Sequence, residues 1–86
     1  MFKIEKLPAG QRTVLRLIGR IRVEHLEELK AQIRDDGQTV NLDLDEVTLV
    51  DVEVVCFLRC CEIDGIELLN CSPYIREWIV REEDRE

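Results

Sequence analysis

Between residues 39 and 44, Val40, Leu42 and Leu44 alternate with Asn41 and Asp43, the two-residue period of a strand with one buried face. The period then changes. After the short polar stretch that follows, apolar residues recur every three or four positions, which predicts a helix over 52–63. Asp51 stands at its N-cap position, where a carboxylate accepts amide hydrogens of the first turn. Residues 46–50 are read as the loop between strand and helix.

The same reading extends both ways. Residues 2–7 alternate weakly, Pro8-Ala9-Gly10 signals a turn, and 13–18 are rich in β-branched and aliphatic side chains, so an antiparallel hairpin is expected. Gly19 is expected to end it. Leu26, Leu29 and Ile33 fall at helical spacing within 23–34, with Glu27, Glu28, Lys30 and Arg34 turned outward. Asp35-Asp36-Gly37 supplies a polar stop and a glycine suited to a left-handed cap. Residues 66–69 read as another strand after Gly65. Ser72-Pro73 opens a final helix carrying Ile75, Trp78 and Ile79, and the charged residues 81–86 are expected to fray.

The resulting order, β-β-α-β-α-β-α, makes residues 1–86 a single α/β domain. Strand–helix–strand units of this length imply parallel pairing through right-handed crossovers. A sheet covered on both faces reads as almost continuous Val, Ile and Leu. Asn41 and Asp43 in a central strand therefore predict helices on one face and solvent on the other. The expected fold is a small, mixed, mostly parallel open sheet of about four strands.

Charge narrows the classes of partner. The chain has 86 residues and a net charge of −7. Nucleic acid needs a basic face that releases counterions, and an anionic membrane surface needs the same sign of charge. Neither is expected here, whereas a protein with a basic patch is. No apolar run approaches the roughly 20 residues needed to cross a bilayer. The first ten residues lack a signal-peptide layout, and with four cysteines this points to a reducing cytoplasm and free thiols. A domain this short buries only about 60–65% of its unfolded surface, so its stability margin should be small.

Leu42-Asp43-Leu44-Asp45-Glu46-Val47, followed by Thr48-Leu49-Val50-Asp51, resembles the STAS domain family, which includes the bacterial anti-sigma-factor antagonists. In that family a strand of this pattern leads through a hydrophobic pair to D-S-S-G-L at a helix start. Arg12 to Gly19-Arg20-Ile21 resembles its glycine-bearing strand end, Gly65 to Leu69 its "G-x-x-L-x-L" strand, and Ser72-Pro73 with Ile75 its "S-P-x-V" helix start. The resemblance implies a STAS-like fold and a non-catalytic, protein-binding role in partner switching. It departs at the switch. The phosphorylatable serine falls on Val52, the second hydroxyl on Glu53, the glycine on Val54 and the leucine on Val55. Valine offers no hydroxyl, so that route of regulation is expected to be closed. The family's further terminal strand and helix also have no counterpart in the sequence.

The resemblance places partner binding on Glu46, Val47, Thr48, Asp51, Val52, Glu53, Val54 and Val55. The expected partner is an anti-sigma-type kinase; the alternative is a neighbouring subunit of a transport or signalling assembly. Tyr74 and Trp78 lie on a helix whose uncovered surface could pair with another copy, so a homo-oligomer is also considered. Asp51 and Glu53 at a helix start would stay ionised and make poor general acids. The single histidine, His25, has no second histidine to complete a ligand set, and Ser72 is accounted for as a cap. No nucleophilic constellation stands out, so an enzyme is not expected, and no cofactor or metal is assigned. Cys56, Cys60, Cys61 and Cys71 are read chiefly as core residues, with thiol or metal binding as the lesser alternative.

Overall fold

The computed structural model describes residues 2–35 and 39–83. Strands β1 (Phe2–Ala9) and β2 (Arg12–Ile21) form the expected antiparallel hairpin, paired from Phe2↔Gly19 to Ala9↔Arg12. Its two central residues are Gly10 and Gln11 rather than 8–10. Gly10 has φ +69°, the sign that a primed two-residue turn asks of its first central residue. Pro8 is tolerated within β1 because that strand forms the sheet edge.

A single 3-10 turn (Val23–His25) leads into α1 (Leu26–Asp35), which buries Leu26 and Leu29. Asp36 and Gly37, the rest of the expected helix stop, lie outside the described residues. So do residues 84–86 of the charged tail. Strand β3 (Thr39–Val50) follows, then α2 (Val52–Ile63), β4 (Leu68–Leu69) and α3 (Pro73–Glu83). The strands lie in the order β1-β2-β3-β4, with β2, β3 and β4 parallel.

Alternation sorts the sheet into two faces. Thr13, Leu15 and Leu17 of β2 and Val40, Leu42 and Leu44 of β3 are buried together with Leu29, Val54, Val55, Leu58, Ile75 and Ile79 from the three helices. On the opposite face Val14, Arg16, Ile18 and Asp43 are half-buried. This is the expected one-sided helix layer. Asn41 departs from it, being buried at 6% exposure although it sits on the open side.

The largest correction concerns 46–50. Those residues are not a loop: β3 runs on to Val50, alongside a β2 that continues past Gly19 to Ile21. The pairing Arg16↔Asp43, Ile18↔Glu46, Gly19↔Val47, Arg20↔Leu49 inserts extra residues into β3 at two places. Such bulges bend a strand and re-aim its side chains. Asp43 helps hold the first one, accepting hydrogen bonds from the Asp45 amide (3.0 Å) and from Asn70 Nδ2 (3.1 Å) through the same Oδ1.

The helix ends show how local chemistry sets boundaries. At the C-terminus of α2 the Gly65 amide donates to Glu62 O (3.1 Å) and the Ile66 amide to Cys61 O (2.9 Å), with Gly65 at φ +92°. That double bond pattern is a Schellman cap, which needs a left-handed residue at this place. At the start of α3, Ser72 Oγ accepts from the Ile75 amide at 3.3 Å and Pro73 takes the first helical position.

At α2 the expected cap is only half realised. Asp51 has extended backbone angles (φ −93°, ψ 165°) and its carbonyl accepts from Val55 (3.0 Å), but its carboxylate makes no capping hydrogen bond. Ser72→Ala should therefore lower stability by about 1 kcal/mol, whereas Asp51→Ala should cost less than about 0.5 kcal/mol. Urea midpoints of the two variants would rank them in that order.

Candidate functional site

Sequence pattern and bulges together shape the rim where β3 ends and α2 begins. The second bulge leaves Thr48 without a partner in β2 and turns Leu49 outward to 49% exposure, while Val50 returns to the core at 6%. Asp51 is half-buried, and Val52 and Glu53 follow on the exposed first turn of α2, Val52 at 40% exposure. Thr48, Leu49, Asp51, Val52 and Glu53 thus form one continuous stretch of chain, apolar at Leu49 and Val52 and acidic at Asp51 and Glu53.

Other residues expected to bind a partner take different positions. Val54 and Val55 have no exposed surface and pack into the core, so they support the helix start from beneath. Val47 is half-buried against the same core. Glu46 is engaged by Arg16 in an ion pair across the β2–β3 pairing. Leu49 lies within the 46–50 stretch beside the expected docking residues but is not singled out by the sequence pattern, although it is 49% exposed. Once that segment is taken as a bulged strand, its exposure follows.

Beside this rim lies a second charged feature. Phe2, Arg20, Arg22, Glu24 and His25 line an open hollow of about 240 Å³. The Phe2 and His25 rings stack with centroids 4.4 Å apart, and His25 Nδ1 accepts from the Arg22 amide at 2.9 Å. The end of the sheet where β2 and β3 finish therefore carries two arginines on the β2 side and two acids on the α2 side. Complementary charge of this kind steers and registers a partner more than it adds affinity.

The cysteines divide. Cys61 is buried at 4% exposure, and burial, reinforced by Asp64, Cys60 and Glu62, pushes its thiol up to about 12. Cys71 packs partly against the core; burial raises its pKa, Arg76 opposes the rise and Glu62 adds to it. Cys56 and Cys60, read from sequence as core, are instead exposed. The reason lies in the register of α2. Its buried stripe is Val54, Val55, Leu58 and Cys61, which turns residues 56 and 60 outward. No three potential metal ligands come together among the described residues.

No family model and no curated protein matches the chain. Among solved structures, the fold is similar to that of the anti-sigma factor antagonist SpoIIAA in its unphosphorylated form. The TM-score is 0.60 and the identity 23%, covering 90% of this chain and 79% of that one. The likeness bears out the STAS-like fold. No helix among the described residues is long and apolar enough to cross a membrane.

Proposed function

We propose that this chain is a non-catalytic protein-interaction module of the partner-switching kind, working in a bacterial cytoplasm. It docks a regulatory protein through the end of β3 and the start of α2. The observation that carries this reading is the pairing of exposed Leu49 and Val52 with the carboxylates of Asp51 and Glu53 on one rim. Interfaces concentrate their energy in a few apolar contacts ringed by polar groups, and this surface has that composition. A partner with an apolar contact flanked by basic side chains fits it, and an anti-sigma-type kinase is the candidate that the fold suggests.

Regulation must differ from phosphorylation at the helix start, since Val52 has no hydroxyl. Glu53 is a poor substitute for phosphoserine, with one negative charge against about two and fewer acceptor oxygens.

The test is capture of the partner with tagged wild-type protein and with an Asp51→Lys, Glu53→Lys variant. A Glu67→Lys variant, changed at an exposed position just before β4, serves as the charge control. The partner should be retained by wild type and Glu67→Lys and lost from the double variant, with unchanged circular dichroism throughout. Equal retention by all three would overturn the docking surface.

A second reading, a subunit of a larger transport or signalling assembly or of a homo-oligomer, is favoured by a different surface. Ile63 at the end of α2 is 70% exposed, and Tyr74 and Val80 on α3 are 54% and 46% exposed. Binding or self-association that survives Asp51→Lys, Glu53→Lys but fails in Ile63→Ser, Tyr74→Ser would support it.

A further inference from the structure

Glu53, Cys56, Cys60 and Asp64 follow one another at intervals of three, four and four residues along α2, which places them on a single ridge of the helix. All four line a cleft of about 440 Å³, with Leu26 and Lys30 of α1 and Phe57 making up the rest of its wall. Cys56 and Cys60 are free and exposed. Side chains four apart on a helix have Cβ atoms about 5–6 Å apart, within reach of a shared ion bound by both sulfurs. On the other side of the ridge α3 runs antiparallel to α2, with Arg76 bonded to Glu62 at 2.7 Å and the Cys56 thiol donating to Glu82 at 3.8 Å.

We propose that Cys56 and Cys60 form a two-thiolate site for a soft, thiophilic divalent cation on the outer face of α2. Three features select that class of ligand. Thiolates prefer soft ions over magnesium or calcium. Structural zinc takes four protein ligands, and no third ligand joins these two among the described residues. Cys61 cannot supply one, because it faces the core.

The surrounding carboxylates favour a divalent ion over a monovalent one. Glu53 and Asp64 line the same cleft, and the Cys56 thiol already donates to Glu82, so the pair sits among negative charges. A divalent cation displaces one proton from each thiol, giving a neutral M(SR)₂ group and two released protons. A monovalent ion bound in the same way would leave a net negative group among those acids.

The probe is Cd(II), added without oxygen to the reduced full chain and followed by the ultraviolet charge-transfer absorbance of cadmium thiolates. One ion per chain is expected, with Cys56 and Cys60 protected from iodoacetamide and Cys71 unaffected. Cys56→Ser and Cys60→Ser should each weaken binding at least tenfold, about 1.4 kcal/mol, while Cys71→Ser leaves it unchanged. Both altered positions are exposed, so circular dichroism should show intact folding. Wild-type affinity in Cys56→Ser or Cys60→Ser, or cadmium-dependent dimers in place of a one-to-one complex, would overturn the proposal.

Discussion

Leu42→Ala is expected to remove most of the stability of this domain. Leu42 has no exposed surface and sits in β3 between Leu15 on one neighbouring strand and Leu68 on the other. Its amide donates to Glu67 O at 2.9 Å, which fixes the short β4 against the sheet. Truncating a buried leucine costs the lost transfer energy plus the cavity left behind, about 3–5 kcal/mol where neighbours cannot collapse inward. Hydrogen-bonded strands on both sides restrict that collapse here. An 86-residue domain has a total stability of order 5–10 kcal/mol, so the loss takes a large share of it. Urea denaturation should show the midpoint falling by about half or more. Leu7→Ala is the control: Leu7 lies on the edge strand at 43% exposure, and its truncation should cost less than about 1 kcal/mol. Equal costs would mean that the β3 core is not where the fold is held.

The central position of Leu42 was legible because a strict two-residue period leaves one assignment open. The helix over 52–63 and the Ser72-Pro73 helix start were legible for similar reasons: each has a periodic apolar stripe and a local signal with one structural meaning. Residues 46–50 did not. Asp45 and Glu46 break the alternation, and a bulge shifts the period by one residue, so a strand containing two bulges reads as a loop. The extra residues find their place only when β2 is alongside, which is a long-range fact.

Helix α2 failed in a different way. Its sequence, VEVVCFLRCCEI, is apolar on several sides, so spacing alone does not say which stripe faces the sheet. The core took 54, 55, 58 and 61, and the thiols of 56 and 60 went outward as a consequence. Val54 and Val55 entered the expected docking set through the family resemblance, and packing withdraws them into the core. Asp51 was correctly placed at the cap position, but the rotamer of its carboxylate is not written in a capping preference.

Val52→Asp should weaken partner binding about a hundredfold while leaving the domain folded. Val52 is the first residue of α2 and 40% exposed, so an aspartate there meets solvent and the favourable end of the helix dipole. That electrostatic gain, about 0.3–1 kcal/mol, offsets the modest burial lost with the valine, and the urea midpoint should hardly move. Binding responds oppositely. If Leu49 and Val52 form the apolar centre of the contact, the new carboxylate must be desolvated without a partner group placed to receive it, a cost of a few kcal/mol. A hundredfold loss of affinity, about 2.7 kcal/mol, is the expected result by calorimetry with the captured partner. Val52→Ala, which removes two methyl groups and adds no charge, should lose less than tenfold. The pair of variants separates charge from shape. Loss in both would make Val52 a packing contact alone, whereas loss only in the aspartate would show that this helix start still responds to added negative charge, although its own side chain cannot acquire any by phosphorylation. Wild-type affinity in Val52→Asp would place the contact elsewhere on the molecule.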